Sequence, residues 1–425
     1  MKKVLIISYY WPPSAGSGVQ RWLKFAKYLP KFNWKPFIYT PKNPYFEIKD
    51  DKLLSNMPSE LVVWKKNIWE PYALKDKIFG KGKKDQSAGI ISTKKSFKNT
   101  LLNWIRGNIF IPDPKIFWIK SSVKFLLSKI KKEDIGYVIT TGPPHSIHLI
   151  GLEIKKNIPN IKWISDFRDP WSKLDLLQEF HLTKYALRRH QKLEKRVLDS
   201  SDLVLTVSER WLKEFIELGA NKVELITNGF DSDDFNLNKN NNNNNKFIIG
   251  HYGLLNHLRN PIYLWKALDI MCYENPDFKS KLELHFSGNV DQEVMEQINA
   301  FPNLKDKVKY LGYLTHSKVI EQYNNASVLL LLLFNSESGL GNYPGKIFEY
   351  FASNKPILAF GPNNSDTQEL IKQTNSGIYC CYEEQDIKDK ILDLYNNTDK
   401  FRVSDYERFS RKKLTQRLSI VLNDL

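Results

Sequence analysis

The chain has 425 residues, 42% hydrophobic, 13% aromatic and 26% charged, with 20 glycines and 20 prolines. That is more than one core usually serves, and it excludes collagen-like, disulfide-scaffold and wholly disordered classes. Lys and Arg outnumber Asp and Glu by 63 to 47, and the net charge of +16 points to an acidic partner: nucleic acid, anionic lipid or a phosphorylated small molecule.

The chain opens MKKVLIISYYWPP. Its apolar run stops at Ile7, short of the roughly 7–15 residues of an export signal, so Val4–Ser8 is expected to be a first strand. WPPSAGSGVQRW follows, where Gly16 and Gly18 allow a close backbone approach to a ligand and the next helix offers free N–H groups. Arg21 stands where a dinucleotide fingerprint wants a third small residue, and no acid follows the second strand, Pro36–Thr40. Nicotinamide binding is therefore not expected; a turn that needs glycine for geometry alone is the competing reading.

Lys75 to Lys132 holds 15 Lys and Arg against three acids, so +12 of the charge lies in 58 residues, interleaved with Trp104, Phe110, Phe117, Trp118 and Phe125. This suits either an anionic membrane surface or a solvated insertion above ordinary core helices. Lys81–Ser96 has little periodicity and reads as a mobile loop. No RNA-binding signature accompanies the charge, so no nucleic-acid partner is expected.

Further strands are expected at Tyr137–Thr141, Lys162–Ser165, Leu203–Val207 and Val223–Ile226. TTGPPHSIHLIG places His145 and His148 just past a strand end, where doubly wound sheets put their ligands. ISDFRDPW follows another strand end, with Asp166 and Asp169 flanking Arg168. An acid beside a cation can orient or deprotonate a sugar hydroxyl while the guanidinium meets phosphate; a buried ion pair fixing a loop is the alternative.

Asn236–Lys246, with six successive asparagines, cannot build a core and marks a linker. Beyond it, strands are expected at Phe247–Tyr252, Leu282–Phe286, Val308–Leu311, Val328–Phe334 and Ile357–Phe360. The run ASVLLLLLF is far below the roughly 20 residues that span a bilayer and reads as a strand buried on both faces. Gly253 follows a strand, Arg259 precedes a helix, and Ser287-Gly288-Asn289 ends the next strand. In YPGKIFEYFASNKPIL, Lys346 and Glu349 share a helix face: the Lys suits a diphosphate and the Glu can accept two vicinal ribose hydroxyls, although alone they read as a surface pair.

Alternating strands and helices imply an α/β protein with two doubly wound, Rossmann-like domains. The expected division is 1–235 with a basic insertion at 75–132, a linker at 236–246, a second domain at 247–399 and a C-terminal helix at 400–425 returning to the first domain. Cys272, Cys380 and Cys381 show no paired or metal-ligand spacing, which indicates a reducing, cytoplasmic setting without structural zinc.

YYWPPSAGSGVQR, TGPPHSIHLIG, SDFRDPW, LVLTVSE, ITNGFDSDDF, FSGN and PGKIFEYFASNKPILAF together resemble the GT-B glycosyltransferases, specifically glycosyltransferase family 4 of bacterial surface-polysaccharide synthesis. The resemblance covers nearly the whole chain except the basic insertion. It implies two lobes facing a cleft, with a nucleotide-sugar donor as substrate, no cofactor and a glycan or lipid-linked acceptor. Arg259 and Lys346 would hold the diphosphate and Glu349 the ribose, with Gly253 and Gly288 at the donor loops and Tyr313 beside the base. Gly16 and Gly18 would border the cleft, and His145, Asp166, Arg168 and Asp169 would face the reacting groups. The family retains anomeric configuration and needs no metal; Asp231-Ser232-Asp233 belongs to the NGFD segment rather than to a metal-binding DxD. The chain departs from the family where a first glutamate is common, eight residues before Glu349: Gly341 stands there, and Glu337 lies further upstream. A nucleotide-sugar epimerase of the same architecture, or a non-catalytic basic adaptor on membrane or RNA, are the competing functions. The expected location is cytoplasmic, on the inner face of the cell membrane.

Overall fold

The computed structural model describes residues 1–14, 17–44, 50, 52–55, 57–70, 97–173, 177, 179–235, 245–403 and 405–425. Gly16, the Lys81–Ser96 stretch and most of the Asn-rich linker lie outside them. The chain divides into two compact units, one of residues 1–227 with 411–425 and one of residues 228–410. Chain segments therefore cross between units twice, at Thr227–Asn228 and at Ser410–Arg411, and the NGFD segment belongs to the second unit.

The first unit holds a wholly parallel sheet of seven strands: β1 (Lys2–Ser8), β2 (Trp34–Pro41), β3 (Val62–Lys66), β4 (Tyr137–Gly142), β5 (Lys162–Phe167), β6 (Leu203–Thr206) and β7 (Val223–Leu225). Their order is β3-β2-β1-β4-β5-β6-β7. Alternate residues of β1 serve opposite cores: Leu5 and Ile7 join Trp163, Phe167 and Trp171, whereas Val4 and Ile6 join Trp22, Leu23 and Phe25. That two-sided burial is why these strands read as continuous apolar runs. The helix Arg411–Asn423 closes the second face, with Leu414, Leu418, Val421 and Leu422 packed beside the helix Ser17–Tyr28.

The second unit holds six parallel strands: β8 (Phe247–Tyr252), β9 (Leu282–Ser287), β10 (Val308–Tyr310), β11 (Val328–Leu332), β12 (Ile357–Gly361) and β13 (Gly377–Cys381). Their order is β10-β9-β8-β11-β12-β13. The leucine run behaves as its pattern predicts, with Val328, Leu330 and Leu332 in one core and Leu329, Leu331 and Leu333 in the other.

Two strands escape the sequence pattern, β3 and β13. Both are edge strands of only five residues, half-buried for most of their length. In each sheet the order reverses beside the first strand, at β1/β4 and at β8/β11. Doubly wound sheets open their ligand crevice at the carboxyl ends of such a pair.

Candidate active site

In the second unit three loops meet at the carboxyl edge. After β8, Gly253 N–H donates to the Ser287 carbonyl at 2.7 Å. After β9, Gly288 N–H donates to the Gly312 carbonyl at 3.0 Å, and Ser287 Oγ donates to the same oxygen at 2.9 Å. The Tyr310 hydroxyl donates to the Gly288 carbonyl at 2.8 Å. Gly253 sits at φ +155°, and a Cβ there would lie 1.8 Å from the Lys346 Nζ. The lysine thus reaches across the bare backbone of the β8 loop, a position that only glycine leaves open.

Lys346 is the second residue of the helix Gly345–Ser353, which Pro344 leads into. Burial pulls its ammonium down to about 8, Arg259 adds to the fall, and Glu349 opposes it. The Arg259 guanidinium lies 3.6 Å from the ring centroid of Phe334, just past β11, and its buried Nε has no partner. Burial lowers its pKa to about 10. Two partly desolvated cations thus stand at one switch point, one of them with a buried donor that has no hydrogen-bond partner.

Glu349 is not the partner of Lys346 in a surface pair. Its carboxylate accepts from His316 Nε2 and from the Tyr323 hydroxyl, each at 3.0 Å. Neither residue stands out in the sequence, because they lie 33 and 26 positions upstream on the helix His316–Asn325. Tyr313 is 76% exposed beyond Gly312. Glu337 is exposed and opens the short helix Glu337–Leu340, while Gly341 follows that helix.

In the first unit the corresponding edge carries the other predicted residues. Asp166, expected to face the reacting groups, is instead sealed in the interior. Its carboxylate accepts from Arg21 Nη2 at 2.9 Å, Trp22 Nε1 at 2.7 Å and Thr141 Oγ1 at 2.7 Å. Arg21 also donates to the Thr227 carbonyl at 2.8 Å. The ion-pair reading of the DFRD segment holds for Asp166, with Arg21 as the partner rather than Arg168. Arg21, singled out in the sequence only for spoiling a dinucleotide fingerprint, is a structural keystone.

Arg168 donates to the carbonyls of Gly142 at 2.9 Å and Pro143 at 2.8 Å. A Cβ on Gly18 would lie 2.8 Å from its Nη1, so that glycine makes room for the guanidinium. Burial lowers the Arg168 pKa and raises that of Asp169, which Arg168 holds back.

His145 caps the helix Ser146–Asn157, and its ring stacks on Trp171 with centroids 5.1 Å apart. Both ring nitrogens are buried, and burial holds its pKa well below the ordinary value, with the Pro170 backbone opposing the fall. His148 shares a 2.9 Å hydrogen bond with Thr140 and is pulled down to about 3 by burial and by Arg168. His145 is thus a neutral ring at a strand-end loop, and His148 is a core residue. Trp171 is itself held by an indole N–H donated to His190 Nδ1 at 3.0 Å, and by Glu194, which accepts its backbone N–H at 3.3 Å. Among the described residues no group of three or more His, Cys, Asp or Glu is placed to hold a metal ion.

Two doubly wound sheets, each with polar loops at its switch point, define the GT-B class of two Rossmann-like domains. Residues 232–413, nearly all of the second unit, match the family of glycosyl transferases group 1, and that domain supports a glycosyltransferase. No curated protein matches the sequence. The chain is similar in fold to TarM, with a TM-score of 0.65 and 12% identity over 100% of this chain and 99% of that one. It is similar to a sucrose-phosphate synthase from Thermosynechococcus elongatus, with a TM-score of 0.61 and 13% identity over 100% and 99%. A putative UDP-N-acetylglucosamine 2-epimerase from Listeria monocytogenes matches with a TM-score of 0.58 and 10% identity over 100% and 96%.

Proposed function

We propose that the protein transfers a sugar from a nucleotide-sugar donor to a glycan or lipid-linked acceptor in cell-surface polysaccharide synthesis. In this reading it acts at the inner face of the cell membrane, with retention of configuration and without a metal or cofactor. The observation that carries the reading is the pair of desolvated cations, Lys346 and Arg259, at the β8/β11 switch point, the latter with a buried Nε that has no partner. Burial makes each charge worth more against a diphosphate than it would be in water. As the glycosidic bond breaks, negative charge grows on the departing nucleoside diphosphate, and fixed cations stabilise it without reorganising. Glu349, held by His316 and Tyr323, is poised to accept ribose hydroxyls. In the first unit, His145 and Arg168 are the residues assigned to the transferred sugar and acceptor, with Asp169 beside them.

The motifs shared with family 4 support the surface-polysaccharide setting, and the group 1 match supports glycosyl transfer. The fold itself is shared with an epimerase, so the acceptor decides between the two. Purified protein should be assayed against UDP-, GDP- and dTDP-sugars with and without acceptor glycans. Transfer that needs an acceptor, and that falls at least a hundredfold in Lys346→Ala and Arg259→Ala, is the expected result. Near-normal transfer by both variants would overturn the assignment, and donor turnover without acceptor would favour the epimerase.

A further inference from the structure

The described part of the basic segment is the helix Phe97–Asn108, the turn Ile116–Trp118 and the helix Ile119–Glu133. The last of these buries Ser122, Leu126 and Ile130. Its opposite side exposes Lys120, Lys124, Ser128 and Lys131, spaced by four, four and three residues, and Phe117 continues the line upstream. At 1.5 Å per residue the three lysines extend along about 16 Å. No acid interrupts them, and among the described residues none of the three forms an ion pair. Asp113, the one acid from residue 97 to residue 132, is turned inward to the backbone N–H and hydroxyl of Ser146, each at 2.8 Å.

The head of the stripe is aromatic. Trp69 and Phe117, 52% and 47% exposed, meet edge to face with centroids 4.6 Å apart, and Phe110 touches Phe117 at 5.9 Å. Ile109, beside Phe110, is also exposed. The neighbouring residues Glu70 and Trp118 both contact Tyr9, which follows β1. The aromatic end therefore stands at the carboxyl edge of the sheet, the edge that carries His145 and Arg168.

We propose that this stripe, with the Trp69–Phe117 pair as its apolar wedge, docks the first unit on an anionic lipid bilayer. A straight line of cations ending in an amphipathic aromatic pair fits a flat, negatively charged surface with an apolar interior. The choice of bilayer rests on the transfer reading above, taking the lipid-linked member of its two acceptor classes. Docking at this edge would present the lipid's head group to the loops after β1, β4 and β5. A stacking platform for nucleic acid would instead need aromatic faces laid open in series, whereas here one ring edge closes on the other.

The test is co-sedimentation of the full chain with phosphatidylcholine vesicles, with and without phosphatidylglycerol. Binding should require the anionic lipid and weaken with salt. Lys120→Ala/Lys124→Ala/Lys131→Ala should lower the partition constant roughly a hundredfold. Trp69→Ser/Phe117→Ser should weaken binding while leaving its salt dependence in place. Both variants should keep wild-type transfer to a water-soluble acceptor. Equal binding to uncharged vesicles, full binding by both variants, no vesicle binding by the wild type, or tighter binding to single-stranded RNA would each overturn the proposal. Vesicle binding without any sugar transfer would remove the transfer reading and leave the surface standing; the reverse pattern would remove only the surface.

Discussion

Gly253 and Lys346 compete for one volume: the lysine Nζ lies 1.8 Å from where a Cβ on Gly253 would be. The lysine comes from 93 residues downstream, and a side chain on Gly253, at φ +155°, would push its flexible tip from the strand end. Gly253→Ala should therefore behave as a site mutation rather than a loop mutation. Donor kcat/KM is expected to fall at least a hundredfold, to the level of Lys346→Ala, and the double variant should be no worse than either. Additive losses in a mutant cycle would show that the two residues act separately.

Lys346 predicts a pH signature. Its folded pKa of about 8 lies below the ordinary 10.5, so the free protein loses this charge as pH rises through 8. Donor kcat/KM should decline above pH 8, and Lys346→Arg, whose guanidinium stays charged, should move that limb upward. The sign for stability is the opposite of that for a salt-bridged lysine. Because folding depresses the pKa, holding the proton costs stability fully below pH 8, and the cost disappears as pH rises through 10.5. Lys346→Met should be more stable than wild type by about 3 kcal/mol at pH 7 and no different above pH 10.5. Equal urea midpoints at pH 7 would contradict this account of the buried ammonium.

Asp166 separates a structural acid from a catalytic one. Removing either member of the buried Arg21–Asp166 pair leaves an unpaired charge, which costs about 3–5 kcal/mol. Arg21→Met and Asp166→Leu should each lower the melting temperature sharply, and the double variant should recover only the unpaired-charge part, since Trp22, Thr141 and Thr227 lose their partners as well. A stable double variant that retains measurable transfer fits a framework role; one that is stable but wholly inactive would return Asp166 to the chemistry.

Glu349 should report on donor affinity. Glu349→Gln keeps the shape and a hydrogen-bond acceptor but loses the charge that His316 and Tyr323 orient. Donor KM should rise about tenfold with kcat little changed, as expected for a charge-assisted hydrogen bond worth about 1.5–3 kcal/mol. Tyr323→Phe should show part of the same effect. A pure kcat loss with unchanged KM would place Glu349 at the transferred sugar instead.

Much of this fold is legible in the sequence, because burial on both faces writes a strand as an unbroken apolar run, as in Val328–Leu333. The edge strands β3 and β13 are not legible: VVWKK turns charged after three residues, and GIYCC is a short, mostly half-buried run opened by glycine. The Lys346 site is partly legible: a cation at a helix start and glycines after strands are local features, and both Lys346 and Gly253 stand where such features point. Their mutual exclusion is not local, and neither is the support that His316 and Tyr323 give Glu349.

Local chemistry alone therefore determined the α/β class, the two doubly wound units and the cationic, glycine-bearing strand ends, because periodicity and backbone preference act over a few residues. Which partner each charged group takes was decided only by tertiary structure. The DFRD segment offers two acids and one arginine at nearly equal claim, and the fold buries Asp166 against an arginine 145 residues away while leaving Asp169 beside Arg168. Desolvation sorts such groups, and it exists only once distant segments have closed over them.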